Sequence, residues 1–239
     1  MGNQILSEYP AKKAINRKCM RKNTHMRKIT GVALIFLLVS FTSLPISQAS
    51  NKVCIPTQSI EEGPYYLSNT PTRSDVTDGQ VGKPLSFTFK VLDTACKPVK
   101  GARIDIWYAN AQGVYSGVAS RGDDLGAGKN SGNFLRGTQL TDAKGVAVFK
   151  GIYPGWYPAR TIHVHQKIWV GGKEVLTTQT YFTDKQNAAV MSTAPYNTRG
   201  SQKVTNQNDM VLNRGNIDLN KALMKLSGSK AAFSFVVKI

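Results

Sequence analysis

Long apolar runs, acidic residues, cysteine and histidine are all scarce in this chain. The apolar stretch Val32 to Val39, continued by Phe41, is too short to span a bilayer comfortably. It sits inside a tripartite export signal from Met26 to Ala49, preceded by Arg27 and Lys28 and followed by Ser47 and Ala49, which frame a small-x-small cleavage site. A permanent N-terminal anchor is the alternative reading of that segment. Ser50, not cysteine, stands directly after the cut, so a bacterial lipid anchor has no attachment point there, and no stable membrane anchor is expected after cleavage. Residues 1–25 are polar and basic, either a leader or an over-extended start ahead of Met26.

Acids number 14 against 31 Lys and Arg. Residues 1–49 hold eight of the basic residues and one of the acids, so the remainder keeps 23 basic and 13 acidic residues, a formal charge of +10. These basic residues are scattered and form no stripe with interleaved aromatics, which argues against a nucleic-acid interface. The charge reads instead as a solvated cationic surface drawn to anionic polymers. Of the three cysteines, Cys19 lies ahead of the cut and Cys54 and Cys96 remain. An even pair in an exported chain reads as one disulfide, tying the segment after the signal to the turn after the first strong strand; two free buried thiols are the alternative.

Helical pattern is also sparse, the one expected helix being short, around Leu219 to Leu226. What is present is strand periodicity. Leu85, Phe87, Phe89 and Val91 alternate with polar residues before a turn at Lys97-Pro98. Ile104 and Ile106, Val146 and Val148, Ile162 and Val164, Ile168 and Val170, and Phe233, Phe235 and Val237 continue the pattern. Asp142-Ala143-Lys144-Gly145 and Gly171-Gly172 supply hairpin turns. Residues 50–239 are therefore expected to form an all-β, single-domain β-sandwich with long loops and at most one or two short helices. The Gly-, Asp- and Ser-rich segment Gly117 to Gly132 is a long loop of the functional or mobile kind. Asp123 and Asp124 within it lack EF-hand spacing and read as solvated.

With His25 in the leader, any imidazole chemistry of the mature chain passes through His163 and His165. One residue separates them, so on a strand both rings project from one face while Ile162 and Val164 project from the other. That is metal-ligand spacing, although a chance His-x-His on a solvated face has the same pattern. Tyr157, six residues upstream between Trp156 and Pro158, stands where the chain must bend. Tyrosine ligates only when a strongly polarising cation displaces its proton, so two phenolates and two imidazoles favour a hard ion such as Fe³⁺ over Zn²⁺. Tyr108 competes with Tyr115 for the second phenolate, but it lies beside Trp107 in a strand, without the turn that follows Gly113. The tryptophans Trp107, Trp156 and Trp169 read as core or pocket wall.

In order and spacing these pieces resemble the intradiol ring-cleaving dioxygenases, the family of protocatechuate 3,4-dioxygenase and catechol 1,2-dioxygenase, and in particular its exported branch. The matching segments are Glu62-Gly63-Pro64-Tyr65-Tyr66, Gly113-Val114-Tyr115, Gly155-Trp156-Tyr157-Pro158, and Arg160 to His165, within a stretch from about Cys54 to Phe182. The resemblance implies one Fe³⁺ per chain held by Tyr115, Tyr157, His163 and His165. Tyr157 would be the axial ligand that leaves and accepts a substrate proton. Arg160 would steady charge on the substrate ring, Gln179 would support the site from behind, and Tyr65 would line its mouth. The implied partners are an aromatic ortho-diol and O₂, and the implied product is a muconate-type dicarboxylic acid. Strand parity questions Gln179: if Gly171-Gly172 is a two-residue turn, Thr178 lies opposite His165 and Gln179 falls on the other face, unless one bulge intervenes.

Two departures from the family pattern bear on specificity. The insertion between the Gly-x-Tyr-Pro turn and the arginine is missing, which implies a more open pocket. The helical N-terminal dimerisation region is missing too, which leaves the substrate and the oligomeric state open. A non-catalytic β-sandwich that binds iron or catechols is the alternative from another class. Export carries its own test: mass spectrometry of the secreted protein should find an N-terminus near Ser50, and intact protein retained in the cytoplasm would contradict it.

Overall fold

The computed structural model describes residues 52–118 and 132–239; the expected leader and signal, and most of the Gly117–Gly132 loop with Asp123 and Asp124, lie outside them. Among the described residues eight strands form two four-stranded sheets. The first is ordered β4 (Val146–Ile152), β1 (Pro84–Asp93), β8 (Lys230–Val237), β7 (Lys225–Ser227), and the second β3 (Arg136–Leu140), β2 (Arg103–Trp107), β5 (His163–Val170), β6 (Lys173–Tyr181). Strand β1 runs antiparallel to β4 and parallel to β8. This is the expected β-sandwich.

Alternation explains why the sheets face each other. Leu85, Phe87, Phe89 and Val91 are buried from β1, and Ile104, Ile106, Val164 and Ile168 meet them from the second sheet in one apolar core. Phe89 touches Phe149 and Phe235, with ring centroids 6.1 and 5.4 Å apart. Tyr108 belongs to this core, tilted against Phe87, which removes it as a rival to Tyr115.

The helix falls elsewhere than expected. Residues Leu219–Lys221 make only a single 3₁₀ turn before β7, whereas α1 spans Asp184–Met191 and a short α2 spans Met210–Arg214. Helix α1 has little apolar pattern to advertise it. Its signal is the capping box, in which the Thr183 hydroxyl accepts from the Gln186 amide and the Gln186 side chain returns a bond to Thr183.

The second sheet is buried on both faces, because the segment leading into β1 crosses its outer side. Ile60 N donates to Thr177 O and Tyr66 lies against Lys167 and Trp107, while Thr57 N donates to Val236 O of the first sheet. The start of this arm is fastened by a Cys54–Cys96 disulfide closing 42 residues, with Cys54 N also donating to Thr94 O. A loop of that length gives about 2–4 kcal/mol through the unfolded chain. Replacing both cysteines by alanine should lower denaturant stability by that amount, and an unchanged midpoint would mean that the backbone bonds alone hold the arm.

Candidate active site

Strand β5 sets the site. Ile162 and Val164 point into the core between the sheets, so His163 and His165 project to the outer face, where the arm covers them to 2% and 1% exposure. Two loops bring the tyrosines over the same point. Beyond β2 the chain turns around Asn110, whose side-chain oxygen accepts from Gln112 N and Val114 N, and Tyr115 follows eight residues after the strand end rather than on the strand. Glycine is required here: a Cβ on Gly113 would lie 2.1 Å from the Trp156 carbonyl, and one on Gly155 would lie 2.3 Å from the Asn110 carbonyl. The two tyrosine loops thus approach backbone to backbone, joined by Gly155 N donating to Asn110 O.

Tyr157 and Arg160 are partners in an isolated bridge across a tight turn, with Pro158 next and Ala159 at φ 67°. Proline suits the first corner of such a turn, and the left-handed second corner costs an alanine about 1–2 kcal/mol. The strained turn sends both side chains toward the histidines.

Four donor atoms converge. His163 Nε2 lies 3.0 Å from His165 Nε2, 3.2 Å from the Tyr157 hydroxyl and 3.5 Å from the Tyr115 hydroxyl, and His165 Nε2 lies 3.1 Å from the Tyr115 hydroxyl. Donors about 2 Å from a shared ion stand roughly 3 Å apart, so the spacing fits one metal ion. His163 Nδ1 donates to Thr161 O at 2.7 Å, which turns the lone pair of Nε2 toward the centre. The His165 ring is held by stacking on Trp107, 4.8 Å away and nearly parallel, while its Nδ1 has no hydrogen-bond partner. Burial pushes both imidazoles well below their usual pKa, with Arg160 adding to the effect. Burial also raises the Tyr115 phenol well above its ordinary value and the Tyr157 phenol to about 12, the latter opposed by Arg160. All four groups are therefore neutral in the bare protein, and a cation is what would ionise the phenols. The set contains neither thiolate nor carboxylate, and among the described residues no cluster of three or more His, Cys, Asp or Glu offers a second centre.

Gln179 does share the face of the two histidines. The hairpin pairs Val170 with Lys173 and Trp169 with Glu174, but the next pair is Ile168 with Leu176, so a bulge at Val175 brings Gln179 opposite His165. Its Oε1 accepts from Arg160 Nη2 at 2.6 Å and from the Tyr181 hydroxyl at 2.8 Å, while its Nε2 donates to Glu61 O. Gln179 thus works through Arg160 rather than on the donors. Tyr65 stacks on Tyr115 with centroids 4.4 Å apart and stands edge-on to Tyr157. Asp209 was not singled out by sequence reasoning, although it is wholly buried and accepts from Arg160 Nε at 2.9 Å and from Thr161 N at 2.7 Å while capping α2. Its only sequence signal is a helix cap before Met210-Val211-Leu212, which says nothing of a partner 49 residues away.

The sequence model of the dioxygenase family matches residues 61–220. The chain belongs to the intradiol dioxygenases. It is 29% identical over 142 residues to a chlorocatechol 1,2-dioxygenase of Pseudomonas putida, covering 51% of this chain and 52% of that protein. It is 31% identical over 152 residues to the protocatechuate 3,4-dioxygenase beta chain of Burkholderia cepacia, covering 58% and 61%. The chain thus spans little more than half the length of these relatives. Among solved structures, an intradiol ring-cleavage dioxygenase from Tetranychus urticae superposes with a TM-score of 0.71 at 28% identity, over 77% of this chain and 95% of that one.

Within the site, Asp209 carries the clearest energetic consequence. Breaking a buried ion pair costs about 3–5 kcal/mol because the remaining charge is stranded. Asp209→Asn keeps the size and the cap but strands Arg160, and should lower unfolding free energy by that amount. A loss below about 1 kcal/mol, the scale of an exposed pair, would mean that Arg160 has another counter-charge.

Proposed function

We propose that this dioxygenase is an exported, iron(III)-dependent enzyme that opens the ring of a catechol-type diol between its two hydroxyl-bearing carbons, adding both atoms of O₂ to give a muconate-type dicarboxylic acid. The observation that carries the reading is the convergence of two phenol oxygens and two imidazole nitrogens at 3.0–3.5 Å. Such a donor set suits a hard, high-charge ion, one per chain. When bound, iron(III) supplies the Lewis acidity that takes up the diol as its dianion and makes the ring electron-rich toward O₂.

The side chains then divide the remaining work. Tyr157 is partly exposed whereas Tyr115 is 5% exposed, so Tyr157 is the one able to swing away and take a diol proton on its phenol oxygen. Tyr115, wedged beneath Tyr65, stays put with His163 and His165. Arg160 presents a fixed positive charge where the activated ring becomes electron-rich, and its aim is set by Asp209 and Gln179. Tyr65 and Trp107 wall the centre with aromatic surface. The arm disulfide supports an oxidising compartment and hence export.

Purified protein should carry about one iron per chain and be coloured by tyrosinate-to-iron charge transfer. Tyr157→Phe should retain iron yet lose at least about 100-fold in turnover, whereas Tyr115→Phe or His165→Ala should lose the metal. Oxygen uptake and product analysis with catechol, protocatechuate, hydroxyquinol and larger catechols, beside iron content, make the check. An iron-loaded parent that consumes no O₂ with any of them would replace the enzyme by an iron- or catechol-binding protein.

A further inference from the structure

The site contains two buried guanidinium groups, and they are treated differently. Arg160 faces the carboxylate of Asp209. Arg136, at the start of β3 opposite Trp107, is only 1% exposed and pairs with no acid among the described residues. Its bonds all go to neutral oxygens. Nε donates to Ser116 O and Oγ at 3.1 and 3.0 Å, Nη2 donates to Ser116 O at 2.8 Å, and Nη1 donates to Tyr65 O at 2.7 Å. The Ser116 hydroxyl in turn donates to Phe134 O.

Two facts make this placement more than a brace. First, the fork joins the two segments that hold Tyr115: Ser116 follows it in the chain, and the Tyr65 ring stacks on it at 4.4 Å. Second, a buried cation without an anion is costly, and Arg136 is 1% exposed with only neutral oxygens as partners among the described residues.

We propose that Arg136 is a positioning residue for the metal centre: it clamps Tyr115 from both sides and supplies the fixed positive charge that balances the Tyr115 oxygen when that oxygen is a ligand. The inference rests on the metal-centre reading above. A nearby cation stabilises the phenolate orbitals from which charge transfer to iron begins, so losing it moves the band to lower energy. Losing an outer partner of a ligand also weakens metal binding about 10- to 100-fold.

The experiment compares iron-loaded parent, Arg136→Gln and Arg136→Lys by three readouts: circular dichroism, iron retained against a fixed excess of EDTA, and the position of the visible band. Folded Arg136→Gln should show a red-shifted band and iron retention about 10- to 100-fold weaker. Arg136→Lys, which keeps the charge but not the fork, should keep the band position while retaining iron less well than the parent. A folded glutamine variant with the parental band and parental retention overturns the proposal. Should the glutamine variant not fold, the lysine variant decides, and either a red-shifted band or undiminished retention in it overturns the proposal. A parent without iron or colour would instead overturn the metal-centre reading itself.

Discussion

Four neutral polar donors are desolvated at a single point, and the rest of the molecule is arranged around that cost. The arm on the outer face of the second sheet leaves His163 and His165 buried, with Tyr115 5% exposed and Tyr157 partly exposed at the edge. His163 and His165 are consequently held unprotonated and Tyr115 and Tyr157 unionised, and two imidazole nitrogens are left 3.0 Å apart. A cation held there would remove that conflict, drawing on both lone pairs and displacing both phenolic protons. On the proposed reading, burial of the donors serves metal affinity rather than stability of the bare protein.

The fold supplies the other conditions. The two-residue period of β5 directs the histidines to one face, and a core of Phe87, Phe89, Phe149 and Phe235 on the far side of the sandwich keeps that strand rigid. Gly113 and Gly155 allow the tyrosine loops to touch through their backbones, and the disulfide holds the start of the arm that closes over the face. Positive charge is distributed unevenly about the centre. Arg160 is paired with Asp209 and aimed by Gln179, whereas among the described residues Arg136 is held by neutral oxygens alone.

Features with a local cause were legible in the sequence. Alternation gave the strands and the shared face of His163 and His165, and the glycine-tyrosine motifs pointed to the two loops that meet over them. Gln179 shows where local reasoning stops: parity sent it to the wrong face unless a bulge intervened, and Val175 is that bulge, invisible because one extra residue changes no composition. Helix α1 was missed because its burial pattern is weak and its cap was not weighed, while the apolar residues of Leu219 to Leu226 serve a 3₁₀ turn and a strand. Asp209 and Arg136 were missed for a third reason. Each acts across a long sequence separation, and neither sits in a motif, so only the folded chain brings them to the site.

The central claim, that one iron ion is held by two tyrosines and two histidines, is tested most directly by anomalous diffraction at the iron absorption edge from crystals of the iron-loaded protein. The account predicts one strong anomalous peak per chain, bonded to the Tyr115 and Tyr157 oxygens and to Nε2 of His163 and His165. A peak placed elsewhere, or a shell that omits either tyrosine in the substrate-free protein, would contradict it.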